Sequence, residues 1–255
     1  MGILDWLKKG ARSQPAAAPF DAPMRPEAPF YAIGDVHGCN ALLTRLMEKI
    51  SAEDPAAHVV LVGDYIDRGE DSAAVLRRIR DWDRAPDRPL TFLTGNHEDM
   101  LLKFLDAPED RAARWLRYGG LQTMASFGVG GVSDTSRGAE LRAARDALAR
   151  AMGDDLIEWL RALPTHWQSG NVAVVHAGAD PDRPITEQDP RVLKWGHRDF
   201  RHLTRKDGIW VVHGHTIVEH ARAEQGRIAV DTGAYATGHL TAVHVSAAGA
   251  RFLQT

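Results

Sequence analysis

Three features of the 255-residue chain predict an α/β fold with at least one largely buried sheet. From Phe30 onward, short β-branched runs alternate with amphipathic helical patterns. After residue 165, further strand-like runs follow at close spacing. Five of these runs end in the same chemistry, with Asp, His or Asn set beside glycine.

The elements run in order from the N-terminus. MGILDWLKKG places Ile3, Leu4, Trp6 and Leu7 beside Lys8 and Lys9, a block too short for a secretory signal. It reads as a tail with at most a weak peripheral contact to a membrane or partner. Proline and alanine dominate residues 11–29, so residues 1–28 are expected to form a disordered N-terminal arm ahead of one domain at 29–255. FYAI (30–33) is the first strand, and the helix after it carries Leu42, Leu43, Leu46, Met47 and Ile50 on one face behind Asn40 as a cap. VVLV (59–62) is the second strand, followed by a helix from Ser72 with Val75, Leu76, Ile79 and Trp82. LTFL (90–93) precedes a third helix after Asn96, with Leu101, Leu102 and Leu105. Residues 104–165 are mostly helical, interrupted by the glycine-rich FGVGGVSDTSRG (127–138). They read as an inserted helical cap, with a plain helical buttress as the competing reading. VAVV (172–175), IWVV (209–212), IAV (228–230) and TAVHV (241–245) complete the strands.

An apolar content of 44% and a charged content of 25% are ordinary for a globular protein. The net charge of −3 speaks against a generic nucleic-acid binder, whose affinity for a phosphate backbone needs a basic face. Cys39 is the one cysteine, which excludes an internal disulfide and fits a reducing compartment. With no apolar stretch of membrane-spanning length, the expected location is the cytoplasm.

The chemistry lies at the strand tips. FYAI leads into Gly-Asp35-Val-His37-Gly, whose alternation would put both polar side chains on one side of an extended segment. VVLV leads into Gly-Asp64-Tyr-Ile-Asp67-Arg68-Gly, and LTFLT into Gly-Asn96-His97-Glu98. VAVV ends in His176-Ala-Gly, and IWVV in His213-Gly-His215-Thr. In open α/β sheets, sites form where the carboxyl ends of the strands open a crevice. Carboxylate, imidazole and amide donors without thiolates suit divalent transition metals, with Mn²⁺ the first choice and Fe or Zn²⁺ next. Asp35, His37, Asp64, Asn96, His176 and His215 are too many donors for one catalytic ion; they fit two ions sharing a carboxylate. Each block also has a plain reading: a turn at 34–38, a helix cap at Asn96, a buried histidine at 176, a surface ion pair at Asp67-Arg68. Of the last two histidines only one is needed, and His215 is preferred over His213.

GDVHG, GDYIDRG, GNHE, HAG, GHT and DTGA (231–234) together resemble the signature blocks of the phosphoprotein phosphatase family, the small bacterial and bacteriophage serine/threonine phosphatases most of all. The resemblance runs from about 30 to 245. It implies a metallophosphoesterase (calcineurin-like) fold of two packed mixed β-sheets flanked by helices, with a two-metal centre. It also implies Asp35 and His37 on the first metal, Asp64 bridging, and Asn96, His176 and His215 on the second. By the same resemblance His97 with Asp67 serves the leaving group, Arg68 holds phosphate, and the glycines around Asp35 and His37 make room for ions and phosphate.

Two departures stand out. Where the small bacterial members have an arginine two residues after a tryptophan, this chain reads Trp195-Gly196-His197-Arg198, and Arg198 is expected to complete the phosphate clamp. The aromatic residue near the DTGA block is also displaced, with Tyr235 earlier and Ala236 in its stead. The resulting expectation is a metal-dependent phosphomonoesterase working through water activated between two ions, most simply a protein serine/threonine phosphatase that also takes phosphotyrosine. Its substrate would be a phosphoprotein or small phosphate ester. Dinucleoside polyphosphate hydrolysis is the alternative, and a catalytically silent phosphopeptide-binding module a third reading.

Overall fold

The computed structural model describes residues 20–255. Strands β1 (Phe30–Ile33), β2 (His58–Leu61) and β3 (Leu90–Phe92) alternate with helices α1 (Asn40–Glu53), α2 (Ser72–Arg84) and α3 (Asn96–Asp106). Then come α4 (Pro108–Trp115), a wide π-type turn (Leu116–Gly120), α5 (Leu121–Ser126), α6 (Ala139–Met152) and α7 (Asp154–Ala162). The second half holds β4 (His166–Ser169), β5 (Val172–Val175), α8 (Pro190–Trp195), β6 (Trp210–His213), β7 (Arg222–Glu224), β8 (Arg227–Ala229), α9 (Ala234–Thr237), β9 (Thr241–Ser246) and β10 (Gly249–Gln254).

Two mixed five-stranded sheets result, ordered β10-β9-β1-β2-β3 and β4-β5-β6-β8-β7. Strand alternation decides what each side chain meets. From β1, Phe30 and Ala32 face the second sheet and join Val60, Val172, Val174, Val212 and Val243 in the layer between the sheets. Tyr31 and Ile33 face the other way, onto Leu43, Leu46, Leu76, Ile79 and Phe104 of the helical layer. The outer face of the second sheet buries Ala173, Val175 and Val211 under Leu193 and Phe200. With both faces covered, strands β1, β2, β5 and β6 are apolar almost throughout, and parallel pairing of β1 with β2 and β5 with β6 aligns their tips.

The segment 104–165 joins the helical layer: Met124, Leu141, Leu148, Leu156 and Leu160 lie in the same apolar cluster as α1–α3. Its stretch 115–123 is the part that reaches the strand tips, through contacts to Asp67 and His97. Asn40 is not the cap expected of it. Cys39 precedes the first helical turn, and the Asn40 amide oxygen accepts from Arg78 Nε at 2.7 Å instead.

Of the N-terminal arm, residues 1–19, including the MGILDWLKKG block, lie outside the described residues. From Phe20 onward the arm, expected to stay disordered to residue 28, is held against the second sheet. Phe20 packs edge-on against Trp210 at 5.0 Å, Trp210 Nε1 donates to the Ala22 carbonyl, and Glu27 N donates to Ser169 Oγ. None of the helices among the described residues is long and apolar enough to cross a membrane.

Candidate metal centre

The strand tips converge as the topology requires, but through turns rather than extended chain. Six non-glycine residues among those described have positive φ, and five belong here: His37 (43°), Asp64 (51°), Asp67 (70°), Arg68 (68°) and His215 (62°). Left-handed backbone is costly for such residues and persists only where the surroundings hold it. One holding contact is the Asp64 carbonyl, which accepts from both Val36 N and His37 N. Asp35 and His37 therefore do not share one side of a strand; His37 is swung round by its own turn. The flanking glycines also do something other than leave space for ions. A Cβ on Gly34 would collide with the Val230 carbonyl, and one on Gly38 would lie 2.7 Å from the Gly69 carbonyl. They let neighbouring turns touch.

Asp64 is the hub. Its Oδ2 lies 3.7 Å from His37 Nε2, 3.8 Å from His97 Nε2 and 3.3 Å from His176 Nε2. Two tight groups of candidate metal donors share it: His37, Asp64 and His97, and Asp64, His176 and His215. Asn96, expected as a metal donor with a helix cap as the plain alternative, is the first residue of α3, and its Oδ1 lies 2.9 Å from His176 Nε2. Asp35 stands beside the groups, where both its oxygens accept from His215 N at 3.0–3.1 Å.

The donor set fits a pair of divalent cations. His37 Nδ1 faces the Ile66 carbonyl at 2.7 Å, and His176 Nδ1 faces the Val62 carbonyl at 3.2 Å. For His37 this carbonyl favours a proton on Nδ1 and a lone pair on Nε2; His176 faces oxygen on both sides, with Asn96 Oδ1 and Asp64 Oδ2 at its Nε2, the surroundings expected where a cation joins nitrogen and oxygen donors. Burial pushes His37 down to about 3 and His215 down to about 4, so both rings are neutral at physiological pH. Burial also opposes ionisation of Asp64, yet His176, by charge and hydrogen bond, and His97 outweigh it and hold that carboxyl well below its usual range. Asp35 goes the other way: burial, then the Asp231 and Asp64 carboxylates, raise it well above.

His97 has a different setting. Its Nδ1 donates to Asp67 Oδ2 at 2.6 Å, and its Nε2 lies 3.4 Å from Arg68 Nη2. Asp67, fully buried, also accepts from Trp115 Nε1 and from Thr123 Oγ1 at 2.6 Å. Burial would discharge the imidazole, but Asp64 and Asp67 prevail and raise its pKa.

Arg198 and His197 line a cavity of about 280 Å³ with Trp195, Arg201 and His215. The Arg198 side chain is 89% exposed and pairs with Asp199 at 3.3 Å. His213 turns away from the centre: its ring stands edge-on to Phe200 at 5.0 Å and faces a separate cavity beside Arg201 and Arg227.

Sequence reasoning assigned nothing to Glu98, Trp115, Thr123 or Asp231. Glu98 accepts from Asp64 N and Gly95 N with one oxygen and from Tyr65 N with the other, tying the tip of β2 to the start of α3. Burial and the Asp64 carboxylate push it up to about 7 against those three donors. Asp231, near Asp35, accepts from Gly233 N at 2.8 Å. Glu98 and Asp231 sit inside the GNHE and DTGA blocks, which was a usable signal; Trp115 and Thr123 carry none.

A symmetrical bis(5'-nucleosyl)-tetraphosphatase from Janthinobacterium sp. (strain Marseille) is 34% identical to the chain over 151 residues, 59% of this chain and 44% of that protein. The chain spans about half the length of the curated relatives it matches. Among solved structures, one provisionally described as a diadenosine tetraphosphatase superposes with a TM-score of 0.61 at 20% identity, covering 89% of this chain and 94% of the other. The cold-active protein-tyrosine phosphatase of a psychrophile Shewanella sp. gives 0.57 at 18% identity, covering 91% and 83%. At such identities these two speak for the fold alone. The calcineurin-like phosphoesterase profile matches residues 28–219, a span that takes in Asp35, His37, Asp64, Asn96, His176 and His215, and the chain belongs to that family.

Proposed function

We propose that this protein is a metal-dependent hydrolase of dinucleoside polyphosphates, cutting a phosphoanhydride bond near the middle of the polyphosphate. The observation that carries the reading is the pair of cavities on either side of the Asp64 hub. One is lined by Arg68, Arg117, Tyr118 and Tyr235, the other by Trp195, His197, Arg198 and His215. A substrate with two like halves and a polyanionic centre asks for room and positive charge on both sides of the reacting phosphorus. The name borne by the curated relatives supports the same choice over the protein phosphatase that the signature blocks alone would favour.

Asp35, His37, Asp64, Asn96, His176 and His215 would hold two divalent ions, Mn²⁺ first among the candidates. When bound, such ions supply Lewis acidity at a phosphoryl oxygen and lower the pKa of water. The remaining work falls to the chain itself. Arg68 offers a planar pair of N–H groups to the equatorial oxygens, where charge builds in the transition state. His97 holds a proton at Nε2 for the departing oxygen, with Asp67 fixing the ring through Nδ1. Trp115 and Thr123 keep Asp67 an acceptor and hold it still.

Initial rates of the metal-reconstituted protein on diadenosine tetraphosphate, a phosphopeptide panel and p-nitrophenyl phosphate test the reading. A kcat/KM higher by an order of magnitude or more on diadenosine tetraphosphate is expected. The reverse order would install the protein serine/threonine phosphatase instead.

A further inference from the structure

Apart from Arg68, the cavity on the His97 side has a lining the proposed chemistry does not use. It measures about 460 Å³, within the range of small-molecule sites, and pairs two cations, Arg68 and Arg117, with two tyrosines. Among the described residues, four large apolar side chains are left exposed, and Tyr118 and Tyr235 are two of them. Both stand against the centre: the Tyr118 ring is edge-on to His97 at 6.5 Å, and the Tyr235 ring edge-on to His37 at 5.4 Å.

The two rings differ in what they have left to offer. Arg68 lies over the Tyr235 ring at 4.9 Å, so that tyrosine supports the guanidinium. Tyr118 is 50% exposed, so part of its surface is available to a ligand. Its backbone is also anchored. The kinked turn that carries it is pinned next to Asp67 by Trp115, and Gly119 (φ 111°) lets the turn press on the Arg68 backbone, where a Cβ would collide with Arg68 N. A tyrosine has only two side-chain torsions to fix, so a contact to it from an anchored turn costs little entropy.

We propose that Tyr118 determines specificity by stacking on the base of the departing nucleoside diphosphate, while Arg117 faces that nucleotide's outer phosphate. The inference rests on the dinucleoside polyphosphate reading and adds the side and the residue. Arg68 and Tyr118, which line the cavity, both neighbour His97, the proton donor of the proposed reaction, so its occupant is the leaving half. A base–aromatic stack lost to alanine costs roughly 5- to 150-fold, and stacking tolerates any base because every base has a π-face.

The experiment compares wild type, Tyr118→Ala and Tyr118→Phe, all checked for fold by circular dichroism. The ratio of kcat/KM on diadenosine tetraphosphate to that on inorganic tetraphosphate is expected to fall roughly 5- to 150-fold in Tyr118→Ala and to stay within about twofold in Tyr118→Phe. Calorimetric binding of ADP and of inorganic diphosphate to the Mn²⁺-loaded protein gives a readout free of turnover. ADP should bind more tightly than diphosphate, and Tyr118→Ala should erase the difference. An unchanged substrate ratio, or ADP binding no better than diphosphate in wild type, overturns the inference. Failure of the parent reading looks different: wild type would not turn over diadenosine tetraphosphate, and the ADP arm would still decide whether Tyr118 holds a base.

Discussion

On one side of Asp64, Asp67 is buried and accepts from His97, Trp115 and Thr123, while Glu98 gathers three backbone N–H groups. On the other side, Arg198 is 89% exposed, and its partner is the next residue in the chain. The first region is built so that one side-chain position has one set of partners. The second is built so that side chains can move to meet what binds. Buried polar groups left unpaired cost far more than exposed ones, so the first region tolerates little change and the second a good deal. The surroundings of His97, the proposed proton donor, are therefore set by the fold, and the exposed contacts around Arg198 are where substitution is tolerated.

The largest expected effect is at the hub itself. Asp64→Asn removes the carboxylate charge shared by both donor groups and should lower kcat by roughly 10³-fold or more, about 4 kcal/mol, with fewer than two ions retained by elemental analysis. Full activity with full metal content would show that the two groups do not depend on a shared carboxylate.

His97→Ala should cost roughly 10²–10⁴-fold on alkyl phosphates while keeping its metals. On a polyphosphate the loss should be smaller, because a departing phosphate group has a second pKa of about 6 and needs less help from an acid. Loss of metal in this variant would place His97 Nε2 in the donor set with His37 and Asp64, which their distances permit.

Thr123→Val conserves shape and deletes the hydroxyl that both donates to Asp67 Oδ1 and accepts from Asp67 N. A stability loss of about 1–3 kcal/mol is expected from the buried groups left unpaired, read as a lower urea midpoint. A fall in kcat with KM unchanged should accompany it. If kcat holds, Asp67 keeps its position without that contact.

Asp99 ties the exposed region to the buried one, since it pairs with Lys103 and Lys194 and accepts from Trp195 Nε1. Burial opposes its ionisation, but the two lysines outweigh it and hold the pKa below the usual carboxylate value. A folded-state pKa below the unfolded one contributes stability that is complete above the unfolded value of about 3.9 and fades as pH falls through the lower folded one. Asp99→Asn should thus cost about 1 kcal/mol at pH 7, because solvent screens the partly exposed Lys103 and Lys194 it pairs with, and the gap to wild type should begin to close below about pH 4. A gap that does not narrow as pH falls below about 4 would point to packing rather than charge.

Smallest is Arg198→Ala. An exposed guanidinium paired with a neighbour should cost less than about 1 kcal/mol, seen as a modest weakening of inhibition by inorganic phosphate. A crippling loss would mean that Arg198 swings inward to complete the clamp with Arg68, and a larger effect at His197 would move the clamp to that residue.

The chain's own order of residues determined a good part of this. β1, β2, β5, β6 and β9 are legible because central strands covered on both faces must be apolar, and short apolar runs announce themselves. β4, β7 and β10 went unread; each is an edge strand, whose open side accepts polar residues such as those of RAE (222–224). The residue types at the tips were legible as metal chemistry, since few other roles need so many imidazoles and carboxylates beside glycines. What only the tertiary structure decided is geometry that arises between distant segments. The left-handed turns at His37 and His215, the ring directions set at His37 and His176 by the Ile66 and Val62 carbonyls, and the support of Asp67 by Trp115 and Thr123 all depend on partners some 30 to 180 residues away. A local pattern names a side chain's chemistry, but its direction is set by whatever the fold packs against it.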